Sequence, residues 1–187
     1  KYKIDLRLTP NQDLLLCNIG SQQKMDVVQK LNSIEITNPK SPNKLRRHSI
    51  ACPALPLCGL AVTEAERILP DILKRIEDLL HSLSIDKPIL IRMTGCPNGC
   101  ARPYMAELAL VGSGVDQYQL WLGGTPNLQR LARPYLQKMP IDQLERTLRP
   151  LLMSWKNSGG RRRFGDHITK LGDQEVIKLL SEEGQLP

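Results

Sequence analysis

The chain has 187 residues, 41% hydrophobic and 24% charged, the balance of an ordinary folded domain, which excludes a wholly disordered, collagen-like or low-complexity polymer. No apolar run approaches the ~20 residues a membrane helix needs, because a stretch such as Leu55–Val62 is broken by Pro56, Cys58 and Gly59. With 26 Lys and Arg against 19 Asp and Glu, the net charge of +7 points to an acidic partner or an anionic substrate, while aromatics at 4% leave little for stacking bases.

In chain order, Tyr2, Ile4, Leu6 and Leu8 alternate with Lys3, Asp5 and Arg7, the period of a half-buried strand. That strand follows Lys1 at once, with no apolar leader segment, so the chain is expected to be a fragment or a processed product. Asp13–Ile19 reads as a second strand, and Ser21 is placed to cap a helix over Gln22–Leu31. A proline-bearing loop, Asn38–Lys44, leads to Arg46, Arg47 and His48. Thr63 and Glu66 have capping-box spacing, and apolar residues Ile72, Leu73, Ile76, Leu79, Leu80 and Leu83 recur at helical spacing after Pro70. Pro88–Met93 reads as a buried strand that runs into Thr94–Arg102. Glu107–Val111 and Tyr118–Leu122 read as a strand pair, with Gly112–Gly114 in the turn between them. Thr125 with Pro126 predicts a helix start, Asp142 with Glu145 another running to Lys156, and Gln174–Glu183 a terminal helix. The class is α+β, a mixed sheet with flanking helices, without internal repeats. It divides into a small βαβ-like piece over 1–45 and a larger part over 46–187.

The cysteines carry the chemical signal. Cys52 and Cys58 are separated by five residues, Cys96 and Cys100 by three, and Cys17 stands apart among Leu14, Leu15, Leu16 and Ile19 as an expected buried core thiol. Four thiols can form disulfides, a zinc site or an iron–sulfur site. Disulfides suit export, for which no signal is seen. Zinc knuckles favour gaps of two to four residues, and the gap between Cys52 and Cys58 is wider. An iron–sulfur cubane accepts varied spacing, because each iron needs one protein thiolate. Pro53, Pro56, Gly95, Pro97 and Gly99 also keep the backbone irregular, so amide N–H groups can turn toward sulfur. A zinc-stabilised nucleic-acid-binding module, with the basic surface on phosphates, is the alternative of a different class.

The flanking residues narrow this. Thr94-Gly95-Cys96-Pro97-Asn98-Gly99-Cys100-Ala101-Arg102, with Glu107-Leu108 after it and Ala51-Cys52-Pro53-Ala54-Leu55-Pro56-Leu57-Cys58 before it, resembles the nitrite and sulfite reductases that couple a 4Fe–4S cluster to siroheme. Glu64-Ala65-Glu66-Arg67 matches the same family. Arg102–Leu108, Trp121–Asn127, Leu8–Asp13 and Phe164-Gly165-Asp166 look like the ferredoxin-dependent sulfite reductases of cyanobacteria and plastids. The resemblance covers nearly the whole chain. It implies that Cys52, Cys58, Cys96 and Cys100 hold the cluster, that Cys100 also bridges to the siroheme iron, and that Asn98 lies against the siroheme. It implies six-electron reduction of sulfite to sulfide with electrons from reduced ferredoxin. The domains become a ferredoxin-like half-domain over 1–45 and a cluster and siroheme-cradle domain over 46–187.

Family members are much longer, and their N-terminal half carries most of the basic residues around siroheme and substrate. The chain therefore reads as a C-terminal portion, inactive alone, of an enzyme that is monomeric at full length, without membrane attachment, in a bacterial cytoplasm or a plastid stroma. The catalytic residues are expected in the absent half, and a ferredoxin–nitrite reductase is the nearer alternative. Acidic ferredoxin makes Arg46, Arg47 and Arg161–Arg163 docking candidates, although a charge run is more commonly a solvated loop. His48, His81 and His167 read as solvated or capping residues, Arg102 as an ordinary ion-pair partner, and Met93 and Met105 as core filler.

Overall fold

The computed structural model describes residues 3–11, 14–34, 44–127, 129–159 and 161–181. It divides into two units, Lys1–Asn43 and Lys44–Pro187. In the first, β1 (Asp5–Leu8) and β2 (Leu14–Cys17) pair antiparallel with Asp5 opposite Cys17, and α1 (Lys24–Ser33) follows. The order is strand, strand, helix, so a βαβ order is not seen among the described residues. The alternation in β1 does not mark a buried face, since Leu6 and Leu8 are 63% and 87% exposed. Cys17 is half-buried rather than a core thiol, because Leu14 and Leu15 beside it are exposed. Helix α1 starts after Gln23 without a side-chain cap, so Ser21 does not play that part. Most of the loop expected over Asn38–Lys44 lies outside the described residues.

The second unit is built on a five-stranded sheet in the order β3-β4-β5-β6-β7. Strands β3 (Ser49–Ala51), β4 (Ile91–Thr94) and β5 (Leu108–Gly114) run parallel, and β6 (Gln117–Leu122) and β7 (Arg133–Pro140) continue antiparallel. A short helix, α2 (Lys44–Arg47), precedes β3, and α3 (Leu69–Ser82) makes the crossover from β3 to β4, as a parallel pair requires. Every apolar position that the sequence assigned to one face of α3, from Ile72 to Leu83, is buried. They pack with Ile91, Met93, Leu108, Leu110, Leu120 and Leu122, the side chains of one sheet face, in a single core. Helices α4 (Leu144–Asn157), α5 (Phe164–Leu171) and α6 (Asp173–Ser181) contribute Leu148, Leu152, Trp155, Phe164, Ile168 and Leu180 to the same core. Among the described residues no helix is long and apolar enough to cross a membrane.

Three local expectations fail. Thr63 does not cap a helix, which begins only at Leu69; its hydroxyl is buried and hydrogen-bonded to the Tyr118 hydroxyl at 3.0 Å. Thr125 does not start a helix either. Its backbone N–H donates to the Arg130 carbonyl and its hydroxyl accepts from the Arg130 N–H, closing a turn that leads into β7. Pro134 and Pro140 are tolerated in β7 because it is an edge strand. Gly112–Gly114 belong to β5, and the turn falls at Val115 and Asp116.

Helix α5, which the sequence did not announce, has no local side-chain cap. The Glu107 carboxylate, 1% exposed, accepts the Gly165 N–H at 3.2 Å and meets the Arg163 guanidinium through two hydrogen bonds of 3.0 and 2.6 Å. It also accepts the Leu90 N–H at 2.9 Å, so one buried carboxylate ties the approach to β4 to the first turn of α5. Arg163 is thereby a structural residue rather than part of a free basic loop. His167 is buried at 5% exposure, within hydrogen-bond distance of the Ser154 hydroxyl of α4, and is not a solvated histidine.

Candidate metal centre

The cysteines stand on two loops at the C-terminal ends of adjacent parallel strands. The first loop leaves β3 at Cys52. The Cys52 N–H donates to the Met93 carbonyl at 3.1 Å, and the Cys52 carbonyl accepts from Glu66 N–H at 3.1 Å. Pro53 and Pro56 keep the following stretch out of a regular helix, as the sequence requires. The Cys58 N–H closes a turn onto the Ala54 carbonyl at 2.8 Å, and Val62 N–H returns the loop to the Gly95 carbonyl at 2.9 Å. Thr63 then anchors it. Its hydroxyl accepts the Asp116 N–H, and the Tyr118 hydroxyl donates to the Glu64 carbonyl at 2.6 Å. Burial pushes the Tyr118 phenol up to about 12, so it keeps its proton and its donor role.

The second loop leaves β4 through Gly95, whose N–H donates to Cys52 Sγ at 3.3 Å. Only glycine fits there: a Cβ would lie 2.5 Å from the Ala54 methyl and 2.7 Å from the Thr63 carbonyl oxygen. Cys96 is buried and Cys100 exposed, and Asn98 between them is exposed. Gly99 adopts a φ of +73°, with the Tyr104 ring covering it; a Cβ there would approach that ring to 2.8 Å. The Tyr104 hydroxyl donates to the Pro97 carbonyl at 2.6 Å, and its ring meets Trp121 edge-on at 4.8 Å. The Arg102 N–H closes the loop onto the Gly99 carbonyl at 2.7 Å. Arg102, with φ of +56°, leads into a one-turn 3-10 helix, Pro103–Met105.

Burial raises the Cys52 thiol above its ordinary value, the amide N–H groups of Gly95 and Ala54 pull it down, and the Cys100 and Cys96 thiols raise it again. Those two neighbours place Cys52, Cys96 and Cys100 within one electrostatic neighbourhood. Cys58 stands on the same loop as Cys52, inside the turn that the Gly95 carbonyl closes. All of these cysteines are free thiols, with no disulfide. Among the described residues no three His, Cys, Asp or Glu side chains converge on a point that could hold one metal ion. The donor set suits a cluster whose four corners take one thiolate each: four unpaired thiols on two adjacent loops, with an amide already directed at one sulfur.

Two residues that matter here were not singled out in the sequence. Tyr104 appears there only as part of the family-like stretch. Arg92 had a visible signal, a charge inside the otherwise apolar strand from Pro88 to Met93, and it is 5% exposed. A cleft of about 140 Å³ lies elsewhere, lined in part by Arg130, Arg133, Tyr135 and Asp173. Its charged groups already satisfy one another, Arg133 and Tyr135 on Asp173 and Arg130 on Asp166.

Comparison with known proteins bears on the same region. The sulfite reductase (ferredoxin) of Synechococcus elongatus is 44% identical over 187 residues, 99% of this chain and 30% of that protein. The sulfite reductase (NADPH) hemoprotein beta-component of Oceanobacillus iheyensis is 39% identical over 93% of this chain and 31% of its own length. That of Staphylococcus haemolyticus is 41% identical over 90% and 30%. The chain thus spans about 30% of the length of these relatives. A solved structure of the Mycobacterium tuberculosis NirA protein superposes with a TM-score of 0.72 at 24% identity, covering 91% of this chain and 33% of NirA, which shows the shared fold. The family described as the nitrite and sulphite reductase 4Fe-4S domain matches residues 43–186, both cysteine loops included. The chain belongs to that family, whose cofactors are a 4Fe–4S cluster and siroheme.

Proposed function

We propose that this chain is the cluster-bearing, C-terminal part of an assimilatory sulfite reductase, with Cys52, Cys58, Cys96 and Cys100 as ligands of a 4Fe–4S cluster. The observation that carries the reading is the pair of interlocked cysteine loops, with four free thiols and the Gly95 N–H on Cys52 Sγ. Cys100, the exposed member of the set, would be the thiolate held in common with the siroheme iron, and Asn98, exposed two residues earlier, would lie against the siroheme. When bound, the two groups supply a store of low-potential electrons and an iron that binds a small oxyanion.

The chain's own work is positional. Buried Cys96 and half-buried Cys52 and Cys58 limit the access of water to their sulfurs, while exposed Cys100 faces outward. Residues 1–45 form a ferredoxin-like half-domain and 46–187 the cluster and cradle domain. The residues that bind and protonate sulfite belong to the remaining length of the enzyme, as the 30% coverage of the relatives allows. The reaction takes sulfite to sulfide and water with six electrons and accompanying protons.

Reduced ferredoxin is the donor, a reading supported by the 44% identity to a ferredoxin enzyme and by the basic balance of the chain. Arg46, Arg47, Arg161 and Arg162, all exposed, remain candidates for that docking. The place of action is a bacterial cytoplasm, or a plastid stroma in a photosynthetic eukaryote. The test is sulfide release by the complete enzyme that contains this chain, supplied in turn with reduced ferredoxin and with NADPH and its flavoprotein. Sulfide formed with ferredoxin and weakened by added salt supports the reading. Turnover with NADPH only transfers the chain to the other donor class, and turnover of nitrite only to the other substrate.

A further inference from the structure

The three buried side-chain polar atoms without a hydrogen-bond partner are Arg92 Nε, Thr94 Oγ1 and Ser113 Oγ, among the described residues. Two of them share one face: Arg92 and Thr94 alternate onto the same side of β4, opposite Ala109 and Val111 of β5. This is the face turned away from the main core, since Met93, Leu108 and Leu110 point the other way. The end of the second cysteine loop and the 3-10 turn after it lie against this face. Trp121, opposite Ala109, carries the Tyr104 ring, and the Arg92 guanidinium donates to the Arg102 carbonyl at 3.1 Å, two residues beyond Cys100.

A guanidinium buried to this degree is ordinarily paired with a carboxylate. Among the described residues no carboxylate pairs with Arg92, and its one recorded charged neighbour is Arg102, of the same sign. Burial and that neighbour lower its value to about 10, which still leaves it protonated at neutral pH. The strand therefore holds a fixed positive charge, with no compensating carboxylate among the described residues, against the end of the loop that carries Cys96 and Cys100. Four thiolates around an iron–sulfur core make an anion that gains one further negative charge on reduction. A cation in a poorly hydrated site favours the more negative state.

We propose that Arg92 is a positioning residue of the cluster loop that acts twice, bracing the Arg102 carbonyl and biasing the bound cluster toward its reduced form. The inference rests on the four-cysteine reading and goes beyond it, because it assigns control of the potential to a residue that touches no ligand. Two substitutions separate the roles. Arg92→Gln keeps a donor for the Arg102 carbonyl and removes the charge; Arg92→Lys keeps the charge on a narrower donor.

The experiment is a reductive titration of the cluster-loaded full-length protein, followed by visible absorption, with iron and acid-labile sulfide counted on each sample. At the wild-type midpoint the ratio of oxidised to reduced cluster rises about tenfold in Arg92→Gln, about 59 mV for one electron, and stays near wild type in Arg92→Lys. A residue that only supports the fold would lower cluster content in both variants and leave the potential of the remaining cluster unchanged. That result, or an equal shift in both variants, overturns the inference alone. Wild-type protein devoid of iron and sulfide overturns the four-cysteine reading, and the inference with it. Should Arg92→Gln not fold, Arg92→Met in the same titration carries the charge test. A Met midpoint lowered as predicted for Gln supports the inference, and an unmoved midpoint overturns it.

Discussion

The two cysteine loops differ in what holds them. The first, from Cys52 to Val62, is sewn in by main-chain hydrogen bonds, Cys52 to Met93, Cys58 to Ala54 and Val62 to Gly95. The second, from Gly95 to Arg102, shares the Val62–Gly95 bond and has one internal main-chain closure, and beyond Gly95 it is braced by side chains reaching in from outside, Tyr104 on Pro97 and Arg92 on Arg102. The first loop is thus a property of the sheet, and the second can be adjusted one side chain at a time. The adjustable loop carries Cys100, the thiolate assigned to both cofactors. That difference teaches where to expect tuning and where to expect collapse.

Gly95 belongs to both loops, so its replacement gives the largest effect. In Gly95→Ala the new methyl meets the Ala54 methyl and the Thr63 carbonyl, neither of which is the end of a flexible chain. We expect about 3 kcal/mol of lost stability and loss of iron from both loops together, seen in urea denaturation and metal analysis. A stable, iron-replete Gly95→Ala would break the claim that the loops share a backbone contact.

Next comes Glu107, which secures the frame rather than either loop. Glu107→Ala strands the Leu90 and Gly165 N–H groups while the half-exposed Arg163 returns to water. A cost of about 2–3 kcal/mol is expected, with α5 the first helix to lose amide exchange protection. Retained protection in α5 would contradict the role of Glu107 as its distant cap.

Tyr104→Phe is smaller and confined to the second loop. It removes the hydrogen bond to Pro97 and keeps the ring on Gly99, for about 1 kcal/mol. Alkylation of Cys100 in the apo protein should accelerate while that of Cys52 stays constant. Equal acceleration at both cysteines would erase the distinction between the loops.

The smallest effect is a pH dependence that touches neither loop. Burial first, then Lys170 and Arg162, holds the His167 imidazole below its ordinary 6.5. As pH falls through 6.5 the unfolded chain binds a proton before the native state does, so stability is full above that value and declines below it. Urea midpoints between pH 7.5 and 5.5 should drop less in His167→Gln than in wild type. An equal slope would show that His167 does not titrate with unfolding.

How far the sequence could be read follows from the range of the interactions. The apolar spacing of α3 and the β5–β6 pair were legible because each is decided within a dozen residues. The cysteines and the glycines between them were legible because their spacing is itself the signal. Strand β7 was not, because its prolines are permitted only by an edge position that the sequence does not state. The start of α5 was hidden because its cap comes from Glu107, 58 residues earlier. Thr63 misled for the converse reason: its spacing to Glu66 satisfied a local rule, while its hydroxyl was taken by Tyr118, 55 residues on. The braces of the second loop fall in the same group, visible only once β4, β5 and the 3-10 turn are side by side.

The account rests on four cysteines acting as one ligand set, and the most direct test is iron, zinc and acid-labile sulfide counted on one anaerobically prepared sample of the full-length protein. The account predicts about four sulfides per chain, about five irons once the siroheme iron is counted with the cluster's four, and no stoichiometric zinc. Zinc without sulfide would contradict it and assign the two loops to a structural metal site instead.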